Sequence, residues 1–324
     1  MNPLPLIDGA FFIDNSSLEL LTTCPRAMEY NRLFRRIGAA AKPALSFGSA
    51  IHLALEWRYR TCRNQPPDAL EESEQASVLA KFFSKNMPPE DDFRNLNWAI
   101  EVIKRYNQTY QVEPFNILVD DKGQPMVEMP FALELFRYQK GGSMSEHDFI
   151  PVFYSGRIDL PVMWNGNLVI VDHKTTSMLG DYYFKDQRVS PQLFGYCWAF
   201  EQLTDKRAQA FCVNAIRSRP MPQKPVGGFD RWWSENFQRH TEFIFPHQLE
   251  EWKRNTIALV EEFFWHYERE YFPMKRKWCS GKYGLCPYYD VCDLPASERG
   301  LMLESTLFTD NNWSPLHEPS QPLQ

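Results

Sequence analysis

Apolar positions along the chain fall first at helical spacing and then at strand spacing. In "NSSLELLTTCPRAMEYNRLFRR", Ser16 and Glu19 stand at capping-box spacing and predict a short helix. Pro25 is placed to open a second helix, which puts Cys24 at the junction. "ALSFGSAIHLALEWRYRTC" predicts a helix carrying His52 and Glu56 four apart on one face, and "DALEESEQASVLAKFFSK" and "NLNWAIEVIKRYNQTYQ" predict two more amphipathic helices. From about residue 115 the period shortens. "FNILVD", "MVEMPFALELF", "FIPVFYSGRIDLPVMW" and "NLVIVDHKT" are rich in β-formers, and "WNGN" carries an Asn-Gly turn signal, so a meander of three or four strands is expected. "SPQLFGYCWAFEQL" returns to a helix with Ser190 as N-cap and Pro191 in its first turn, and "AQAFCVNAI" is the next strand. Strand, helix, strand in that order predicts a crossover joining one sheet. After an irregular stretch at 218–238, "HTEFIF" reads as an edge strand and "PHQLEEWKRNTIALVEEFFWHYERE" as a long amphipathic helix. The chain therefore divides into an N-terminal helical segment (1–44), a helical block (45–114), a sheet region (115–245), a long helix followed by a cysteine-bearing segment (246–303) and a loosely ordered tail (304–324).

Composition narrows the class. With 44% hydrophobic and 15% aromatic residues over 324 positions, the chain has the material for a packed core. No run approaches the roughly 18 apolar residues of a membrane span, and no basic region precedes an apolar segment at the N-terminus, so a soluble cytoplasmic protein is expected. The net charge of -6 speaks against coating nucleic acid by bulk electrostatics but says little about one groove. The basic clusters "RLFRR" (32–36), "RSR" (217–219) and "KRK" (275–277) read as solvated faces. Seven cysteines without a secretory signal argue against a disulfide framework, and Cys62, Cys197 and Cys212, isolated in apolar patterns, read as small buried hydrophobes.

The chemistry gathers around "LVIVDHKTTS", an apolar strand that ends in Asp172, His173 and Lys174. Across a hairpin centred on Asn165 and Gly166, Asp159 falls nearly opposite Asp172, and alternation turns Lys174 to the same face as Asp172. Two converging carboxylates are costly to ionise together unless a cation lies between them, and hard divalent ions prefer oxygen ligands. Phosphodiester hydrolysis suits such a set, and a surface salt bridge of Lys174 with one aspartate is the plainer alternative. Gln192 and Tyr196 follow, four apart on one helix face. Glu128 reads as a solvated strand residue rather than a site acid, Glu56 is placed to support His52, and His173 points away from its neighbours.

Four spacings appear in one order: Gly48-x-x-x-His52, Gly156-x-x-Asp159, Asp172-x-Lys174 and Gln192-x-x-x-Tyr196. In this the sequence resembles the PD-(D/E)XK nucleases, specifically the RecB and AddB type and the iron-sulfur nucleases of CRISPR adaptation. The resemblance implies a restriction-endonuclease-like α/β fold, a mixed β-sheet core flanked by helices with a helical insertion. It implies that His52, Asp159, Asp172 and the backbone carbonyl of His173 ligate magnesium or manganese, that Lys174 is the catalytic lysine, and that Gln192 and Tyr196 hold DNA or the active-site strand. The acid before the lysine is aspartate where many relatives have glutamate.

"KWCSGKYGLCPYYDVC" places Cys279, Cys286 and Cys292 in a short loop-like stretch, a soft metal centre one ligand short, with Cys24 as the candidate fourth. Ligand count admits zinc or a cubane. The resemblance implies a 4Fe-4S cluster, an iron-sulfur clasp joining the N- and C-terminal regions, with Trp278, Tyr283, Tyr288 and Tyr289 packed over it or stacking on bases. The expected function is a metal-dependent DNA exonuclease acting on duplex ends or single-stranded DNA in recombination, replication or repair, of the free-standing kind found in viruses and mobile elements. No Gly-x-x-x-x-Gly-Lys-Ser/Thr phosphate loop is present, so unwinding is assigned to a helicase partner or a recombination or replication protein. A homo-oligomer is compatible with this reading. The rival readings are a non-catalytic DNA-binding or assembly subunit with the same fold, and a zinc-stapled RNA-processing enzyme.

Overall fold

The computed structural model describes residues 2–40, 42–141, 149–281 and 284–315. Tyr283 and the end of the tail, 316–324, lie outside the described residues. β1 (Phe11–Ile13) leads into α1 (Asn15–Thr23), α2 (Pro25–Met28), a π-helical turn over Glu29–Leu33, and β2 (Arg36–Gly38). Asp14, not Ser16, caps α1: its extended backbone lets Oδ1 accept from the Ser17 amide at 2.8 Å. Pro25 opens α2 with Cys24 at the junction, as expected.

The helical block comprises α3 (Pro43–Thr61), α4 (Ala69–Phe83) and α5 (Leu96–Thr109). It is followed by β3 (Asn116–Ile117), β4 (Met129–Gln139), β5 (Phe149–Ile158), β6 (Leu160–Trp164) and β7 (Asn167–Thr176). Then come α6 (Asp181–Gln187), α7 (Pro191–Thr204), β8 (Ala210–Arg217), α8 (Phe229–Ser234), β9 (Phe237–Phe243) and α9 (Pro246–Glu268). β10 (Ser280–Gly281), β11 (Gly284–Leu285), α10 (Tyr289–Asp293), α11 (Arg299–Leu303) and β12 (Phe308–Asp310) end the described chain.

The strands do not form one meander. β4 and β5 pair in a three-stranded sheet ordered β1-β5-β4, whereas β6 and β7 belong to a five-stranded sheet ordered β3-β6-β7-β8-β9. The chain changes sheets at a single residue, Asp159, between Ile158 paired to β4 and Leu160 paired to β7. The sequence shows one long apolar stretch there because both sheets bury it. β7 and β8 are parallel and joined through α7, the expected crossover, and β9 is the expected edge.

Alternation sends the two faces of the five-stranded sheet into different cores. Leu168, Ile170, Val213 and Ala215 pack towards α7 and α9, and Val169, Val171, Cys212 and Ile216 pack against α3 and α5. Cys62, Cys197 and Cys212 are buried. The tail is more ordered than expected, because β12 pairs antiparallel with β2, Arg36 meets Asp310 at 2.7 Å, and the buried Phe308 stacks on Tyr288. Arg32 of the first basic cluster is buried under Trp313, 3.5 Å from the ring centre, and not solvated. No helix among the described residues is long and apolar enough to cross a membrane.

Candidate active site

The β6–β7 hairpin turns on Asn165 and Gly166, both at positive φ, which is the two-residue turn that an Asn-Gly pair favours. Its register, Leu160 opposite Val171, sets Asp159 opposite Asp172 one step beyond the last pair. Asp159 Oδ2 accepts from the His173 amide at 2.7 Å. The carbonyl of a strand residue leaves on the same edge as its amide, so the His173 carbonyl also faces this gap. The His173 ring lies on the opposite face, stacked on Tyr59 with Nδ1 2.7 Å from Asn214 Nδ2. Burial, then the cations His52 and Arg239, push its pKa well down, so the neutral ring accepts from the amide.

Two glycines of the ordered spacings have steric reasons. A Cβ on Gly48 would stand 3.0 Å from Thr175 Oγ1, so glycine lets α3 press its His52 turn onto β7. A Cβ on Gly156 would stand 2.9 Å from the Phe131 ring and 3.3 Å from that of Tyr196.

The tightest donor set was only partly foreseen. His52, Glu128 and Asp159 offer ligand atoms all within 4.8 Å of one another, with His52 Nδ1 3.5 Å from both Glu128 Oε1 and Asp159 Oδ2. Glu128 is 7% exposed, not a solvated strand residue. It precedes β4 with φ of 50°, and its amide donates to the Asp159 carbonyl at 2.8 Å. A left-handed non-glycine residue held this way is the kind of local strain that collects at functional sites. Sequence patterning missed it because "MVEMPFALELF" reads as one strand, whose alternation says nothing about a residue outside the pleat. Asp172 stands outside the tight set. Lys174 Nζ pairs with its Oδ2 at 2.7 Å, and its buried Oδ1 has no hydrogen-bond partner. Glu56 pairs with Arg60 at 2.9 Å rather than with His52.

Burial raises Asp159 to about 8, with His52 opposing and Glu128 and Asp172 adding to the rise. Burial disfavours the His52 cation, but Asp159 and Glu128 overcome it and lift the ring to about 9. Burial likewise works against charged Lys174, and Asp172 and Asp159 more than offset it. The site thus holds protons where acids outnumber bases, the condition a divalent cation relieves. The unpartnered Asp172 Oδ1 and the oxygen-rich donor set fit magnesium or manganese.

Gln192 accepts from Lys174 Nζ at 2.8 Å and donates to the Tyr196 hydroxyl at 2.8 Å. Tyr196 is buried against Phe131, so the pair reaches Lys174 from the packed side of α7. A groove of about 770 Å³ opens beside Lys174 and Gln192, between α1, α7 and α9. Beneath the site, Glu113 is fully buried and holds Arg239 through both oxygens at 2.6 and 3.0 Å. Arg239 Nε in turn donates to Asn214 Oδ1 at 3.2 Å, linking this pair to His173. Neither Glu113 nor Arg239 was foreseen: Glu113 lies in the loop after α5 and Arg239 among polar neighbours in β9, so no pattern marks either.

The four cysteines also meet. Cys24 Sγ accepts from the Lys275 amide at 3.5 Å, the Cys286 amide donates to the Cys279 carbonyl at 2.9 Å, and all four are free thiols. Burial raises Cys286, with Cys24, Cys292 and Cys279 near enough to add to the rise. Tyr288 is buried beside them against Tyr30, whereas Trp278 and Tyr289 are 53% and 43% exposed.

Among solved structures, the chain is similar to a Eubacterium rectale protein named as a candidate exonuclease, at 14% identity and a TM-score of 0.45, over 84% of this chain and 86% of that one. It is similar more distantly to SSO0001, at 11% identity and a TM-score of 0.25, over 65% and 74% of the two chains. No curated protein matches significantly. A family model described as the PD-(D/E)XK nuclease superfamily matches residues 15–293, a span that begins at the first residue of α1 and closes just past Cys292. The chain belongs to the PD-(D/E)XK nuclease superfamily.

Proposed function

We propose that the chain is a divalent-metal-dependent deoxyribonuclease that works as an exonuclease on duplex ends or single strands. The observation that carries this reading is the buried meeting of His52, Glu128, Asp159, Asp172 and Lys174 where the chain changes sheets. His52 Nδ1, the carboxylates of Asp159 and Asp172 and the His173 carbonyl would hold magnesium or manganese, joined by Glu128. When bound, the ion neutralises the scissile phosphate and lowers the pKa of water. Asp172 and Asp159 outweigh the burial of Lys174 and favour its charged form, which suits a cation facing the charge that develops on phosphate. Gln192 fixes the direction of that cation through its 2.8 Å bond. The neighbouring groove gives a strand access to the lysine.

The cysteine centre is proposed to hold a 4Fe-4S cluster. What supports the reading is that Cys24, Cys292 and Cys279 lie near enough to Cys286 to raise its thiol, together with the placing of one early and three late cysteines that the resemblance carries. Its role is structural, since hydrolysis transfers no electron.

The test is digestion of end-labelled, end-blocked and circular DNAs with each metal, using wild type and Lys174→Ala. The variant is expected to lose cleavage by about 10²- to 10³-fold while keeping its affinity for DNA. Wild type that binds DNA normally and cleaves neither single nor double strands overturns catalysis and leaves the non-catalytic reading. Digestion of circular DNA at the rate of linear DNA overturns the exonuclease assignment.

A further inference from the structure

We propose that Arg217 and Arg219 form a phosphate subsite that grips the nucleic-acid backbone a few nucleotides from the bond being cut, an inference that rests on the nuclease reading above. In the parallel register of β7 and β8, Lys174 pairs with Ala215 and Thr176 with Arg217. Paired residues of parallel strands share a face, and faces repeat every second residue. Arg217 therefore stands on the face of Asp172 and Lys174, at the carboxyl ends of the strands, about 13 Å along the sheet from the acids at 3.3 Å per residue. The Ser218 amide donates to the Thr176 carbonyl at 2.7 Å, so the strand pairing carries "RSR" past the site instead of letting it swing into solvent.

Both guanidiniums are held and under-used. Arg217 Nη2 reaches the Leu179 carbonyl at 3.4 Å, and Arg219 lies 5.6 Å from the centre of the Trp232 ring. The Nε atoms of both are buried without a hydrogen bond, and so is the Ser218 hydroxyl. No acid occurs from Arg217 to Phe229, a stretch that also carries Lys224. Nearby Glu235 is engaged by Arg231 at 2.7 Å. Burial and the neighbouring Arg219 lower the Arg217 pKa, and Glu235, shared with Arg231 and Arg219, only partly offsets them. Two adjacent arginines in this state suit an anion with several acceptor oxygens, and a phosphodiester supplies them in the fork geometry that guanidinium prefers. "RSR" is thus a half-buried anion seat and not the solvated face its composition implied.

The test is the salt dependence of binding. Fluorescent oligodeoxythymidylate is titrated, in EDTA so that no cleavage occurs, with wild type, Arg217→Gln, Arg219→Gln, Arg217→Lys and Lys206→Gln. Each lost phosphate contact should lower the slope of log affinity against log salt by about 0.7, so that each glutamine variant's deficit shrinks by about 2.6-fold between about 50 and 200 mM salt. Arg217→Lys should keep the wild-type slope, which separates charge from folding. Lys206→Gln removes the same charge from the loop after α7, at the other end of β8, and should change nothing. Wild-type slopes in both glutamine variants, or no binding of the probe by wild type, overturn the subsite. Changed slopes in a protein that never cleaves leave the subsite standing and remove the nuclease reading, and cleavage with unchanged slopes does the reverse.

Discussion

Replacing Glu113 with glutamine tests whether the charged network beneath the site is a structural foundation. The carboxylate has no exposed side-chain surface, and it accepts from Arg239 at 2.6 and 3.0 Å and from the Tyr59 hydroxyl at 2.8 Å. Arg58, also fully buried, lies 3.4 Å away. Glutamine preserves the shape but leaves two buried guanidiniums without their anion. Breaking one buried pair by removing a partner costs about 3–5 kcal/mol, and the shared use of this carboxylate places Glu113→Gln near the upper end. For a chain of this size, at about 2 °C per kcal/mol, the melting temperature should fall by about 8–10 °C. The ten tryptophans provide a fluorescence signal for thermal melting. A companion pair, Glu113→Leu with Arg239→Met, should lose less than the sum of its single changes, because Arg239 is then no longer stranded and only Arg58 is left without the carboxylate. A shift below about 2 °C for Glu113→Gln would refute the argument, showing that water or relaxation compensates the arginines at little cost.

Other outcomes follow from the same geometry. Glu128→Gln should raise the magnesium or manganese concentration for half-maximal cleavage by about 10- to 100-fold with little change in DNA binding, and an unchanged midpoint would remove Glu128 from the metal set. Asp159 is raised from 3.8 to about 8 and His52 from 6.5 to about 9, so both bind protons more tightly folded than unfolded. The stability they contribute is complete at acid pH and is lost as pH rises, from Asp159 between 3.8 and about 8 and from His52 between 6.5 and about 9. Metal-free protein should therefore melt lower at pH 9 than at pH 6, and saturating metal should shrink that difference; equal melting at both pH values sinks the assignment. Cys24→Ser should give colourless protein of reduced solubility, and iron content equal to wild type would exclude Cys24 from the cluster.

What the sequence revealed depended on how locally each feature is encoded. The α7 crossover, the Asn-Gly hairpin and the facing of Asp159 with Asp172 rest on short-range rules of capping, turn chemistry and alternation, and all three are present. The change of sheets at Asp159 was hidden, because "FIPVFYSGRIDLPVMW" is apolar on both sides of it and nothing in that pattern says which strand each half will pair with. Glu128 escaped for a related reason: its left-handed φ takes it out of the alternation used to place it. Glu113 and Arg239 are 126 residues apart, and a buried ion pair of that separation leaves no periodic trace.

The pairing of β2 with β12 sets a timetable for synthesis. Arg36 leaves the ribosome about 270 residues before its partner Asp310 exists, a wait of roughly 15–55 seconds at 5–20 residues per second. Cys24 likewise precedes Cys279, Cys286 and Cys292, its partners in the proposed centre, by more than 250 residues. All that time the sheets and their acids can already be assembled while the N-terminal segment stays open. The last-made residues therefore decide when the N-terminal segment is covered: until β12 exists, β2 has no antiparallel partner and Tyr288 lacks the Phe308 ring that stacks on it.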